Sequence, residues 1–277
     1  MVNELITPIV GLGAIGLIFG GILAFASRVF AVEVDPKVPE IKDALPGANC
    51  GGCGYPGCDA FAVAVAEGKA PVDGCPVGGT ATAESLADIM GAEVGSGEKM
   101  VARVLCNGTC ENAVERADYY GVKDCREAAI AQGGTKGCQH GCMGLGTCEA
   151  VCPFDAIHIV EGNIAKVDPE KCTACNKCIE ACPKNVIKLV PYANKVHVDC
   201  NSTDKGKEVK ANCKVGCIGC RICVKNCPEQ TISFADNLAK IEYEGCTHCN
   251  VCVEKCPTKA INNDLLSETD EQEEKTA

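Results

Sequence analysis

Tryptophan is absent from this chain, and aromatic residues make up only 4% of its 277 residues. Aromatic side chains usually supply much of the buried apolar area of a domain, so large apolar cores can provide little of the stability here. Nucleotide-binding motifs are missing as well. The sequence has no P-loop and no G-x-G-x-x-G after a strand, so we expect neither nucleotide nor flavin on this chain.

Cations are also scarce, since 26 Lys and Arg stand against 37 Asp and Glu, for a net charge of −11. Nucleic acid is therefore not expected as a partner, because binding a polyanion requires a positive surface. Histidine is rare and scattered. Its four occurrences (His140, His158, His197 and His248) form no pattern, and no catalytic site is predicted on this chain.

Cysteine, in contrast, occurs 25 times, and most of the cysteines fall into one repeated spacing. Three runs follow C-x2-C-x2-C-x3-C-P: Cys172, Cys175, Cys178 and Cys182; Cys217, Cys220, Cys223 and Cys227; and Cys246, Cys249, Cys252 and Cys256. A fourth run has the looser spacing C-x3-C-x5-C-x3-C-P and consists of Cys138, Cys142, Cys148 and Cys152. The strict pattern is that of bacterial ferredoxins, in which three thiolates bind one cluster and the fourth binds its neighbour.

Two other uses of many cysteines fit this spacing poorly. A disulfide framework is typical of secreted proteins, and its cysteines are spread along loops rather than grouped in C-x2-C triplets. Structural zinc uses two separated C-x2-C pairs and needs neither a third close cysteine nor a trailing proline. We therefore predict iron–sulfur clusters in a reducing compartment, and an apo chain that folds poorly.

The crossed ligand pattern of bacterial ferredoxins predicts two ferredoxin-like modules with four [4Fe-4S] clusters. The expected ligand sets are Cys138, Cys142 and Cys148 with Cys182; Cys172, Cys175 and Cys178 with Cys152; Cys217, Cys220 and Cys223 with Cys256; and Cys246, Cys249 and Cys252 with Cys227. The segments after Cys152 and Cys227 both read as two short alternating strands. The looser first run departs from the ferredoxin rule, so its set rests on weaker grounds.

A separate site is predicted near the N-terminus. Its four cysteines, spaced C-x2-C-x4-C-x16-C, are Cys50, Cys53, Cys58 and Cys75. Glycines between the first three allow the backbone to wrap closely around an inorganic core. Residues 59–67 read as a short helix, so the fourth cysteine arrives after a helix and the site forms a self-contained domain. A fifth [4Fe-4S] cluster is expected there, with zinc as the alternative.

Five cysteines lie outside these motifs: Cys106, Cys110, Cys125, Cys200 and Cys213. The segments VARVLCNGTC and KVHVDCNSTD form a weak internal repeat, in which an alternating strand runs into Cys-Asn-small-Thr. The repeat predicts a tentative sixth cluster on Cys106, Cys125, Cys200 and Cys213, with structural zinc or free thiols as alternatives. Cys110 falls opposite Asp204 in this alignment and is not expected to be a ligand.

One long apolar run is present, because residues 5–27 are 23 consecutive uncharged positions between Glu4 and Arg28. As a helix this run would extend about 35 Å, enough to cross a bilayer core of ~30 Å. A cleavable signal peptide is the alternative, but no Lys or Arg precedes the run. We therefore predict a retained single-pass transmembrane helix in contact with lipid. Because the nearest cations follow the run, the cluster-bearing part is expected on the cytoplasmic side.

The predicted fold class is α+β, with a transmembrane helix, a small four-Cys domain, two 2[4Fe-4S] ferredoxin-like modules and a cysteine-bearing middle segment. The predicted boundaries are 1–30 for the anchor, 31–46 for a linker, 47–80 for the four-Cys domain, 81–100 for a second linker, 101–136 for the middle segment, 137–190 for module 1, 191–215 for a connecting segment, 216–262 for module 2 and 263–277 for a disordered acidic tail.

This order of segments resembles the B subunits of Rnf complexes, the ion-translocating ferredoxin:NAD oxidoreductases. The resemblance rests on an apolar N-terminal run followed by the Cys50–Cys75 domain, and two ferredoxin modules are similar to the longer, clostridial type of this protein. It implies an electron-entry component of a cell-membrane translocase, which accepts electrons from reduced ferredoxin and passes them to other membrane and peripheral subunits. The complex would couple this flow to export of Na+ or H+.

Two functions from other classes stay open at this point. A membrane-tethered polyferredoxin would serve a hydrogenase or another dehydrogenase without ion coupling, and it would work with several partners. A non-redox protein with structural zinc would be colourless and free of iron.

Overall fold

A computed structural model of the chain describes residues 2–29, 35–93 and 98–264, with side chains for 13–26 in the first range. The first helix, α1, runs from Val2 to Val29. Among the described residues, no helix is both long and apolar enough to cross a membrane. This finding contradicts the transmembrane helix predicted over 5–27, and that prediction is corrected. Residues 265–277 of the predicted acidic tail lie outside the described ranges.

Three helices form a small domain around the N-terminal cysteine motif: α2 (Lys37–Ala44), α3 (Cys58–Ala66) and α4 (Gly79–Met90). Ile41, Phe61 and Leu86, one from each helix, are fully buried in a common core. The sequence pattern places α2 and most of α4 in linkers, the first because of its three prolines and the second as a connection with some helix around 83–90. Their buried side chains make both helices part of the domain.

Two units with the same order of elements follow. In the first, β1 (Met100–Val104) pairs antiparallel with β4 (Ile187–Pro191), and β2 (Ile157–Val160) forms a hairpin with β3 (Ile164–Val167). In the second, β5 (Val196–Val198) pairs antiparallel with β8 (Ile261–Asn263), and β6 (Ile232–Ala235) forms a hairpin with β7 (Leu238–Ile241). Each unit is closed by its own first strand, which lies upstream of the predicted modules 137–190 and 216–262.

Short helices accompany the cysteine motifs. The first unit contains α5 (Cys125–Gln132), α6 (Thr147–Ala150) and α7 (Lys177–Ala181), and the second contains α8 (Gly206–Asn212), α9 (Ile222–Asn226) and α10 (Val251–Glu254). In both cores, cysteines pack directly against aliphatic side chains; in the first, Cys148 belongs to the same buried cluster as Ile157 and Ile187. The cores are small because cysteine occupies positions that aromatic residues fill in other domains.

A buried ion-pair network joins the two units. Arg103 on β1 donates through Nε to Asp199 at 2.9 Å and through Nη1 to Asp264 at 2.6 Å, and both carboxylates belong to the second unit. Only 19% of the Arg103 side chain and 9% of the Asp199 side chain are exposed. Burial lowers the pKa of Arg103, but the two carboxylates outweigh that effect and raise the pKa overall. The permanently charged pair therefore fixes β1 against the second unit.

Candidate iron–sulfur centres

Two cavities in the second unit are each lined by four cysteines. One, of about 360 Å³, is lined by Cys217, Cys220, Cys223 and Cys256. The other, of about 350 Å³, is lined by Cys227, Cys246, Cys249 and Cys252. In each case three cysteines come from one motif and the fourth comes from the other motif, one or two residues after its short helix. These are the sets into which the crossed pattern groups the eight cysteines.

The first unit has a cavity of about 340 Å³ whose fourth cysteine differs from the expectation. Cys142, Cys148 and Cys182 line it together with Cys125, the first residue of α5. The backbone N–H of Cys125 donates to the Thr147 hydroxyl at 2.6 Å, which ties the start of α5 to the start of α6. Cys138, which the crossed pattern groups with Cys142 and Cys148, does not line this cavity.

An alignment of the two units gives the physical reason. Residues 138–153 read CQHGCMGLGTCEAVCP, and residues 213–228 read CKVGCIGCRICVKNCP. Cys142 therefore corresponds to Cys217, but Leu145 stands where the second unit has Cys220. Because leucine cannot bind a metal, the first unit needs a ligand from elsewhere, and Cys125 occupies that place. This correspondence is the signal that reasoning from the spacing alone missed.

Cys152 lies with the second motif of the first unit. Burial, together with the neighbouring thiols of Cys172, Cys175 and Cys152, raises the pKa of Cys178 to about 12. Two backbone N–H groups donate to sulfurs of this group, from Ala156 to Cys152 at 3.4 Å and from Ala102 to Cys172 at 3.3 Å. The second donor is on β1, so the strand pairing also serves the site.

The largest of the four cysteine-lined cavities, about 480 Å³, lies between the two units. Its cysteines are Cys106 and Cys138 from the first unit and Cys200 and Cys213 from the second. Cys106 follows the end of β1 by two residues, and Cys200 follows β5 by the same interval. The aligned residues Cys138 and Cys213 complete the set. The structure thus brings together three of the four residues of the tentative sixth site and replaces Cys125 by Cys138.

Backbone contacts between the two units surround this cavity. The N–H of Val114 donates to the carbonyl of Asn212 at 2.9 Å, and the N–H of Lys214 donates to the carbonyl of Asn112 at 2.8 Å. Asn107 donates in the same way to Asp199 at 3.2 Å. Segments from both units are therefore held in register where their cysteines meet.

One buried cation lines the inter-unit cavity. Lys136 is 3% exposed, and its Nζ donates to the carbonyls of Gly108 at 2.7 Å and Asn163 at 3.0 Å. Across the cavity lining, His140 Nε2 lies 3.3 Å from an oxygen of Asp204. Burial raises the pKa of Cys200 to about 12, so uncomplexed thiols stay protonated here. A metal must displace those protons, and the ammonium of Lys136 favours the resulting negative charge.

The N-terminal motif is held by α3 and the loops beside it. The Oδ1 of Asn49 accepts from the N–H of Cys58 at 2.8 Å, which positions the first residue of α3. Burial raises the pKa of Cys75, and the thiols of Cys53 and Cys58 raise it further, so these three lie close together. The N–H of Gly52 points to the sulfur of Cys50 at 3.5 Å.

The donor chemistry fits [4Fe-4S] clusters. The chain's thiolates are soft ligands, four groups of four cysteines each line a cavity, and Cys110 lies outside these groups and is exposed. Within the described ranges, no group of three or more Cys, His, Asp or Glu could hold a single metal ion. A tetrahedral zinc would draw sulfurs to about 3.8 Å from one another, given its Zn–S bonds. In these four groups the cysteines line a cavity instead, as a multi-iron cluster requires.

Three protein families match parts of this chain. Residues 45–77 match a family described as "Putative Fe-S cluster", residues 165–188 match "4Fe-4S binding domain", and residues 216–260 match "4Fe-4S dicluster domain". None of these matches includes Cys106, Cys125 or Cys138, or the pair Cys200 and Cys213. The inter-unit cavity and the unusual ligand of the first unit therefore rest on the structure.

Whole-chain relatives are more informative. The chain is 55% identical over 244 residues to the B subunit of the Na(+)-translocating ferredoxin:NAD(+) oxidoreductase complex of Acetobacterium woodii, which covers 88% of this chain and 73% of that protein. It is 44% identical to the B subunit of the ion-translocating oxidoreductase complex of Methanosarcina acetivorans, over 88% of this chain and 92% of the relative. It is 42% identical to the B subunit of the proton-translocating ferredoxin:NAD(+) oxidoreductase complex of Clostridium ljungdahlii, over 87% of this chain and 85% of the relative.

Proposed function

This chain belongs to the family of B subunits of ion-translocating ferredoxin:NAD(+) oxidoreductase complexes, and we propose that it relays electrons through six [4Fe-4S] clusters. It is an iron–sulfur electron-transfer subunit of such an oxidoreductase. Each cluster, when bound, accepts and releases one electron at a time. The chain's own residues hold the clusters at fixed places and set the polarity around them.

The proposed ligand sets follow the cysteine groups. They are Cys50, Cys53, Cys58 and Cys75; Cys152, Cys172, Cys175 and Cys178; Cys125, Cys142, Cys148 and Cys182; Cys106, Cys138, Cys200 and Cys213; Cys217, Cys220, Cys223 and Cys256; and Cys227, Cys246, Cys249 and Cys252. Cys110 has no ligand role in this proposal.

The inter-unit site is the observation that carries the proposal, because it connects what would otherwise be two separate pairs of clusters. The N–H of Cys142 in the first unit points to the sulfur of Cys106 at 3.4 Å. On the other side, Cys217 donates from its backbone to Cys200 and affects the pKa of that thiol. These contacts connect the inter-unit site to one cysteine site in each unit.

We propose that electrons enter at the second unit from reduced ferredoxin and leave from the four-Cys domain to other subunits. The relatives are named for ferredoxin and for whole complexes, which supports both kinds of partner. Translocation of an ion would take place in those other subunits, at a membrane, with the thiol-rich units in the reducing cytoplasm. One relative is named for Na+ and another for protons, so the coupling ion belongs to the complex as a whole.

Counting metals on single cysteine variants tests the ligand sets. Anaerobically purified wild-type chain should contain about 24 iron and 24 acid-labile sulfide without zinc, given four of each per cluster. Cys125→Ser and Cys138→Ser should each lose about four iron, whereas Cys110→Ser, the matched control, should lose none. A full complement of iron in Cys138→Ser would contradict the inter-unit site. About 20 iron with one zinc in the wild type would make one site a structural zinc centre.

The direction of flow needs a separate experiment on the assembled complex. In the wild-type complex, reduced ferredoxin should reduce the clusters of this chain and then NAD+. In Cys138→Ser, the clusters of the second unit should still be reduced, but reduction of the cluster in the four-Cys domain should be slower. Low-temperature electron paramagnetic resonance after rapid freezing distinguishes the reduced clusters of the second unit from the reduced cluster of the four-Cys domain. If the four-Cys cluster of the wild type were reduced first, the proposed direction would be reversed.

A further inference from the structure

Electrons must enter the relay at a cluster that a partner protein can reach. Of the 24 proposed ligand cysteines, Cys220 and Cys249 are the exposed ones, and both belong to the second unit. This inference rests on the proposed function. We propose that a cationic face beside Cys220 is the docking site for a small anionic iron–sulfur protein of the ferredoxin type. The cationic face consists of Lys205, α8, the loop from 213 to 221 and α9.

The charge of this segment is opposite to that of the chain. Residues 205–225 contain six cations and one carboxylate, a net charge of +5 within a chain of −11. All six cations are exposed; they are Lys205, Lys207, Lys210, Lys214, Arg221 and Lys225. A local surface of this sign attracts an anionic protein and orients it before contact.

The fold places these lysines beside the Cys220 site. A Cβ atom added to Gly206, the first residue of α8, would lie 2.4 Å from the carbonyl oxygen of Ile218. The start of α8 therefore packs on the loop between Cys217 and Cys220. The Asn237 side chain holds the preceding residues by donating to the carbonyl of Thr203 at 3.0 Å.

The surroundings of the other exposed cysteine, Cys249, have the opposite sign. Residues 229–254 contain five carboxylates and one lysine, a net charge of −4. Glu229 lines the cavity of that site, whereas Arg221 lines the cavity of the Cys220 site. An anionic partner is repelled at Cys249 and attracted at Cys220, so the two exposed clusters are not equivalent as entry points.

Arg221 has a backbone conformation that other residue types adopt more easily. The residue before each of the four short motif helices is left-handed, with φ of +82° at Gly146, +64° at Asn176, +60° at Asn250 and +59° at Arg221. Glycine and asparagine tolerate this region, but a long side chain is strained there. Arg221 persists in it, and its guanidinium stacks on Phe234 at 4.3 Å from the ring centre.

Substitution of Arg221 by asparagine separates docking from stability. In the assembled complex, Arg221→Asn should leave the melting temperature unchanged or higher, because asparagine suits the left-handed backbone. The same change should raise the KM for reduced ferredoxin roughly fivefold at low ionic strength, with the difference disappearing at high salt. A purely structural arginine would give the reverse: lower stability and an unchanged KM.

A second variant tests the lysines of α8. Lys207→Glu combined with Lys210→Glu should raise the KM for ferredoxin at least about tenfold at low salt. Lys37→Glu, an equally exposed lysine in the four-Cys domain, is the control and should leave the KM unchanged. Reduction by a small uncharged electrochemical mediator should proceed at the wild-type rate in both lysine variants, since it does not depend on docking.

The outcomes of these experiments test the docking face separately from the proposed electron relay. An unchanged ferredoxin KM and salt dependence in both Arg221→Asn and the double lysine variant would overturn the docking face but leave the relay intact. A wild-type complex that mediators reduce and ferredoxin does not would instead remove ferredoxin as the donor. Carbodiimide cross-links from the α8 lysines to ferredoxin carboxylates are the expected direct product of the proposed contact.

Discussion

Gly52 and Cys175 are in backbone contact across the boundary between the four-Cys domain and the first unit. A Cβ atom added to Gly52 would lie 3.0 Å from the Cα of Cys175 and 3.2 Å from its carbonyl oxygen. Burial raises the pKa of Cys175, and the thiols of Cys50 and Cys152 add to this increase. Two cysteine sites therefore approach each other where a side chain would keep them apart.

Gly52→Ala should separate these two sites. The methyl group meets backbone rather than a flexible side chain, so we expect a loss of about 1–3 kcal/mol in stability from overpacking. Iron content should be unchanged, but reduction of the four-Cys cluster by the first unit should slow in rapid-freeze kinetics. Gly20→Ala, where a Cβ has open space, is the matched control. Wild-type kinetics in Gly52→Ala would mean that this contact does not set the distance between the sites.

Arg103→Met should weaken the connection between the two units. It leaves Asp199 buried without its main partner, and loss of one member of a buried pair costs about 3–5 kcal/mol. We expect a lower urea midpoint for the anaerobic holoprotein. The double variant Arg103→Met with Asp199→Asn should recover part of the loss, because the more deeply buried of the two carboxylates no longer carries a charge. If the double variant is no more stable than the single one, the charge is not the cause.

Acidification should destabilise the second unit through His197. Its Nε2 donates to the carbonyl of Asn194 at 2.9 Å, and its Nδ1 lies 2.9 Å from the hydroxyl of Tyr243, which donates to it when the ring is neutral. Burial and the positive charge of Arg103 together lower the pKa of His197 to about 4, although the carboxylates of Asp264 and Asp199 raise it. The unfolded chain binds this proton near pH 6.5, so stability is complete above pH 6.5 and falls as the pH decreases toward 4.

The measurement is the urea midpoint between about pH 5 and pH 7.5, with iron content followed in parallel. His197→Gln keeps a hydrogen-bonding side chain but does not titrate, so its midpoint should depend less on pH than that of the wild type. Equal slopes for the two proteins would assign the acid sensitivity to other groups.

Lys136→Met should lower the reduction potential of the inter-unit cluster. A buried ammonium favours the extra electron, and its effect at close range is on the order of 2–4 kcal/mol at an effective dielectric constant near 20, or on the order of 100 mV for one electron. Lys69→Met, which removes a surface ammonium that is paired with Glu67, should leave all potentials unchanged. A redox titration followed by electron paramagnetic resonance provides the test. An unshifted midpoint would show that Lys136 acts only through its hydrogen bonds.

The local part of the cysteine arrangement could be predicted from sequence. In the second unit, each strict motif confines three cysteines to seven residues and a short helix fixes the fourth, so spacing alone groups them. In the first unit, Leu145 interrupts the motif, and the replacement cysteine lies 20 residues upstream at Cys125. Its position depends on α5 packing near Thr147, which is a tertiary contact that no local pattern specifies.

The closing strands show the same limit. The alternation in VARV predicts a strand, but its partner β4 begins 83 residues after β1 ends, and sequence periodicity does not identify partners. The sequence does contain the information that assigns Cys138, rather than Cys125, to the inter-unit site. Aligning Cys138 with Cys213, through the shared C-x3-C spacing to Cys142 and Cys217, would have grouped the inter-unit cysteines correctly.

The cavity between the units resembles the contact face of a homodimer contained within one polypeptide, since equivalent residues from two similar halves meet there. A chain that ended at Pro191 would keep three complete cysteine groups and only Cys106 and Cys138 of the fourth. Two separate halves would have to associate, and dilution would dissociate them and remove the inter-unit site from the relay. With both halves on one chain, their ratio is fixed at synthesis and the central step cannot be lost by dissociation.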